Sequence, residues 1–95
     1  MRKGYWLKQA RIPTADKFVE YIKTVIPWLK SVGGIIIAKE LRQHSAVNEW
    51  DGGHLGLIVE FESKQAARLA FYSPEFQEYI KLCGIENGLT LSIIS

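Results

Sequence analysis

Few side chains in this 95-residue sequence are able to do chemistry. His44 and His54 are the only histidines, ten residues apart, with Glu40 and Glu49 nearby. A metal site needs three or four converging ligands, often at i, i+2 or i+4 spacing, and that spacing is missing, so no metal is expected. Both histidines read first as solvated loop residues. His44 remains a candidate for proton transfer and His54 for ligand contact. Cys83 is the only cysteine. No histidine or basic residue beside it in sequence would lower its pKa, which favours a packing thiol over a nucleophile. Glu60 says more. It interrupts the apolar run of residues 57–61, where a carboxylate requires a partner or an elevated pKa. It is therefore the leading candidate for a general base. Trp6, Trp50, Tyr5 and Tyr21 could wall an apolar cavity with it. The plainer alternative is that the aromatics fill the core and Glu60 pairs with a lysine or arginine. No nucleophile elbow, phosphate loop or dinucleotide fingerprint occurs, so no cofactor is expected.

These residues must be positioned by short, regular elements. "GYWLKQARI" reads as a first strand ended by Pro13. From an N-cap at Thr14, Phe18, Ile22, Val25 and Leu29 recur at helical spacing, with Tyr21 and Trp28 beside them. Pro27 is expected to kink or split this helix near Ile26, and Gly33-Gly34 to stop it. "IIIAKE" and "LGLIVEF" read as the strands of an extended hairpin whose connection turns at Asp51-Gly52-Gly53. Ser63 opens a second helix. Ser73 and Pro74 then form an N-cap and N1 pair that restarts it, with Phe76, Ile80 and Cys83 along one face. "ENG" ends the helix and "LTLSII" is a final alternating strand. The order is β-α-β-β-α-β, the split, ferredoxin-like α+β pattern, as a single domain over 1–95 with a four-stranded antiparallel sheet.

Isoleucines 35–37 and the run Leu57–Val59 make both faces of the middle strands apolar, whereas a sheet with one wet face should alternate. A second copy of the chain is the simplest cover, hence an expected homodimer through the sheet face. Twelve basic and ten acidic residues give a net charge of +2, too balanced to suggest nucleic-acid or membrane partners. RNA-recognition domains share this element order, but their base-stacking aromatic positions fall here on Gly56 and Ile58. The single cysteine and the short apolar runs suggest a cytoplasmic protein.

"GYW" at 4–6, "GG" at 33–34, Trp50, "EF" at 60–61, Ser63 with Ala66-Ala67, and "FYSPEFQ" at 71–77 occur in order along nearly the whole chain. In these it resembles the domain-of-unknown-function 1330 family. The resemblance implies a ferredoxin-like fold pairing as a dimeric α/β barrel, and no established reaction. Wider fold relatives include cofactor-free monooxygenases and muconolactone isomerases. Relatives often carry an arginine late in the last helix, where this sequence has "KLCGI". Two functions are therefore expected as alternatives. One is binding or transformation of a small organic molecule in a pocket between sheet and helices. The other is a non-catalytic structural or interaction module acting through its dimer surface.

Overall fold

A computed structural model of the chain describes residues 2–43, 53–85 and 88–95. Strand β1 spans Gly4–Ile12, and the pleat turns every second residue (Gly4, Trp6, Lys8, Ala10 and Ile12) to the buried side. Helix α1 spans Ala15–Ser31. Thr14 caps it, its hydroxyl accepting from the Lys17 N–H at 3.2 Å. Strands β2 (Ile35–Gln43) and β3 (Gly53–Phe61) form the hairpin, with a register shift between Ile36 and Ala38. Helices α2 (Lys64–Tyr72) and α3 (Pro74–Leu82) follow, and β4 (Leu89–Ile94) closes the chain. The four strands are antiparallel in the order β2-β3-β1-β4. The helices pack chiefly on β1, β3 and β4, which leaves the β2 edge poorly covered. None of the helices among the described residues is long and apolar enough to cross a membrane.

Three expectations need correction. Pro27 does not split α1, which runs unbroken through it. The proline is on the exposed side, where water can satisfy the carbonyl whose amide partner is lost. The buried stripe of α1 is Tyr21, Val25, Trp28 and Leu29, not the stripe through Phe18 and Ile22. The two large aromatics face the sheet, and Ile22 is turned out toward the β2 edge. The hairpin strands are also longer than their apolar cores, because pairing continues to Gln43 opposite Gly53. The proposed turn at Asp51-Gly52 and most of "ENG" lie outside the described residues.

Several of the resemblance motifs (Gly4, Trp6, Phe61, Ala67 and the Ser73 junction) meet where α2 seats on β1. Trp6 Nε1 donates to the Ala67 carbonyl at 2.8 Å. Gly4 lets the start of α2 approach, since a Cβ there would fall 2.4 Å from the Ser63 carbonyl oxygen. Phe61 and Phe76 pack on the Trp6 ring at 5.1 and 5.0 Å. The Ser73 hydroxyl joins the two helices, donating to the Ala70 carbonyl at 2.8 Å and accepting from the Phe76 N–H at 3.3 Å. Gln77 completes the junction, its amide reaching the Phe71 carbonyl at 2.8 Å. At the far end of α3, Gly84 adopts φ 67°. Its N–H bonds to the Lys81 carbonyl, and that of Ile85 to Ile80. This Schellman ending fixes Cys83 as a buried C-cap.

Ser73→Ala loses both hydroxyl bonds and is expected to cost about 1–2 kcal/mol in urea unfolding. Ser73→Asp keeps the cap but cannot donate to Ala70, so it should fall between the alanine variant and the parent. Equal losses from both would contradict the capping role.

Candidate functional site

Because β1 alternates, the phase that buries Trp6 and Ala10 also buries Lys8, which is 2% exposed. Its ammonium position lies 4.1 Å from the centre of the Tyr21 ring and 5.8 Å from that of Phe76. Lys8 Nζ has no hydrogen-bond partner, and neither has the buried Tyr21 hydroxyl. Burial pulls the Lys8 amine down from 10.5 to about 7, with the nearby ionisable Cys83 opposing the shift. Cys83 sits on the α3 side of the same core. Burial pushes its thiol up from 9.0, while a contact with Thr24 Oγ1 at 3.9 Å and the Lys8 charge act the other way. Thr24 Oγ1 also donates to the Glu20 carbonyl at 2.7 Å. Cys83 is therefore a protonated packing thiol, not an activated nucleophile.

The strand register shows how this cluster meets the outside. On the helix side, Lys39, Leu57, Lys8 and Leu91 lie in one row across the four strands. Between α1 and the uncovered β2 edge runs a groove of about 570 Å³, lined by Ile22, Ile26, Ile36, Leu55 and Leu57, with Lys30 and Lys39 beside it. Leu57 is both a wall of the groove and the cross-strand neighbour of Lys8.

The residues singled out in the sequence divide between the two faces of the sheet. Trp6 and Tyr21 are brought together with Lys8 on the helix side. Glu60 is on the opposite, open face, beside Tyr5 and 3.9 Å from Lys3 Nζ. It therefore cannot share a cavity with Trp6 and Tyr21, because period-two alternation puts the sheet between them. Partial burial, together with the Glu60 carboxylate that its hydroxyl meets, pushes the Tyr5 phenol up. His54 is also on the open face, in a hollow with Gln9, Glu40 and Gly56. It lies six residues from Glu60 along β3, about 20 Å at strand rise, so these two do not cooperate. His44 and Trp50 lie outside the described residues. Lys8 was not singled out, although its phase with Gly4, Trp6, Ala10 and Ile12 marks it as inward. Its proximity to Cys83, far away in sequence, is a product of the fold. Among the described residues, no group of three or more potential metal ligands lies together.

A family model, the domain of unknown function DUF1330, matches residues 3–94. The chain belongs to this family. The DUF1330 chain is similar in fold to several solved structures. One is a protein of unknown function from Rhodopseudomonas palustris, at TM-score 0.62 and 16% identity, covering 97% of this chain and 80% of that one. A de novo designed protein reaches TM-score 0.73 at 12% identity, covering 99% and 98%. A Nitrosomonas europaea protein described as a candidate antibiotic biosynthesis monooxygenase reaches 0.59 at 10%, covering 98% and 88%. At these identities the likeness concerns fold alone. No curated protein matches the chain.

The lysine has a thermodynamic signature. Between about pH 7 and 10.5 the unfolded chain holds the Lys8 proton and the folded chain has released it, so stability rises with pH. Above 9.0 the raised Cys83 thiol contributes the opposite slope, which leaves pH 7–9 as the clean window. Urea unfolding of the parent should gain up to about 2–3 kcal/mol across it. Lys8→Met, close in shape and uncharged, should be flat over the window and more stable at pH 7. A parent as flat as the variant would contradict this burial.

Proposed function

We propose that this protein binds a small organic molecule on the helix side of its sheet, with Lys8 and Tyr21 meeting the ligand's polar group. One observation carries the reading: Lys8 Nζ and the Tyr21 hydroxyl are buried together and neither has a partner. Buried polar groups are satisfied in the great majority of cases, and each orphan costs about 1–3 kcal/mol. A ligand that accepts from Tyr21 and engages the amine removes both costs. The neighbouring groove of Ile22, Ile26, Ile36, Leu55 and Leu57 offers apolar surface for the rest of the ligand. An amine about half neutral near pH 7 is also a competent proton acceptor, so proton abstraction from the ligand is the chemistry this arrangement favours. The likeness to a candidate monooxygenase supports small-molecule chemistry by analogy of fold alone. A reducing, cytoplasmic setting suits a chain whose single cysteine is a buried free thiol.

The open sheet face favours a second, compatible reading: a homodimer, with that surface as an interaction module. Its rows read Ile35, Glu60, Tyr5, Ile94 and then Ala38, Ile58, Leu7, Ser92. Ile35 is 58% exposed and Ile94 44%. A twofold axis parallel to the strands reverses each row onto itself. Ile35 would meet Ile94 of a second copy, Glu60 would meet Tyr5, and Ile58 would meet Leu7. Self-complementarity of this kind is what an isologous interface requires.

Thermal-shift measurements with small ketones, acids and phenols should find compounds that raise the melting temperature of the parent but not of Lys8→Met. Shifts identical in both proteins would sink the proposed site. Light scattering at micromolar concentration should give twice the chain mass, and Leu7→Lys should return it to one. A parent that scatters as a monomer would remove the dimer reading.

A further inference from the structure

Among the described residues Lys8 is the only buried lysine, and no carboxylate acts on it. A lysine arranged to hold an anion keeps its charge, usually with help from other cations or backbone donors. Lys8 has instead an apolar and aromatic shell, the environment that leaves an amine unprotonated and nucleophilic. The hydroxyl nearest in function belongs to Tyr21, whose ring the amine overlies. From outside, the groove between α1 and β2 reaches Leu57, directly beside Lys8 in the cross-strand row.

We infer that Lys8 is a nucleophilic lysine that condenses with a small carbonyl compound entering between α1 and β2, with Tyr21 as its proton relay. The inference rests on the small-molecule site proposed above and adds its ligand class. The Nζ lone pair forms a bond to the carbonyl carbon as the C=O π bond opens onto oxygen. Tyr21 gives that oxygen a proton and regains one from nitrogen. The carbinolamine then loses its oxygen as water, carrying both former N–H protons, and the product is a neutral imine. Nothing is oxidised or reduced. The groove's apolar lining admits an aliphatic or aryl carbonyl compound, and the uncovered β2 edge gives it a way in.

The test is reductive trapping at pH 7. The intact protein is incubated with cyclohexanone or benzaldehyde, reduced with borohydride and mapped by peptide mass spectrometry. The reduced adduct is expected on Lys8 ahead of every other lysine, because its neutral fraction exceeds that of an ordinary lysine by about 10³-fold. Tyr21→Phe should slow trapping by on the order of 10²-fold. Leu57→Ala, which lowers the wall between groove and amine, should speed it several-fold, and an unchanged or slower rate would overturn the entry route. Thermal shifts with cyclohexanol and benzyl alcohol, which can bind but not condense, separate the two claims. Shifts that depend on Lys8 without a Lys8 adduct would leave the binding site standing and overturn the imine. Adducts confined to surface lysines, with no alcohol shift, would overturn both.

Discussion

The period of strand β1 is the constraint on which the rest depends. Gly4 must face inward, because a side chain there would strike the backbone at the start of α2. Trp6 must face inward, because its indole N–H is satisfied by the Ala67 carbonyl and its ring by Phe61 and Phe76. With two residues pinned, alternation leaves Lys8 no choice of side. A one-residue slip would expose Trp6, Ala10 and Ile12 together, at a cost of several kcal/mol in apolar burial alone. The lysine is thus held in the core by its neighbours, against its own preference for water.

A position like this would ordinarily be filled by an apolar residue, which would fit the row between Leu57 and Leu91. Burying an amine there sacrifices stability, a trade usually found where a site has work to do. The two faces of the sheet then divide the labour in the proposed account. The helix side carries the amine, the phenol and an apolar approach along the β2 edge. The open side carries rows suited to a second copy. They are coupled through the strands, since Leu7 on one face and Lys8 on the other are adjacent residues.

Most of the architecture was legible in the sequence because its signals are local. Thr14, Ser63 and Ser73 cap the helices they were expected to cap, and β1 and β4 have the bounds that their composition indicated. The misreadings were matters of phase and of long-range context. The stripe of α1 differs because Phe18 and Ile22 at helical spacing look like core, whereas Tyr21 and Trp28 take the inward positions and Ile22 faces the groove. Sequence does not reveal that Pro27 falls on the wet side of α1. For the site, Trp6 and Tyr21 were recognised, but Glu60 drew attention because it interrupts an apolar run. Lys8 passed as an ordinary strand lysine, since its neighbours Tyr21, Cys83 and Phe76 are brought to it only by the fold.

The central claim is that Lys8 is a buried amine in an unprotonated-leaning state, and its own titration tests this most directly. Nuclear magnetic resonance of the lysine side chains, with Lys8 assigned by comparison with Lys8→Met, follows each ε-carbon shift against pH. The account predicts one lysine with a midpoint near the value of about 7 that its burial implies, set apart from the rest. A Lys8 midpoint at the ordinary 10.5 would mean that water or a counter-charge reaches the amine, and the account of the site would be wrong.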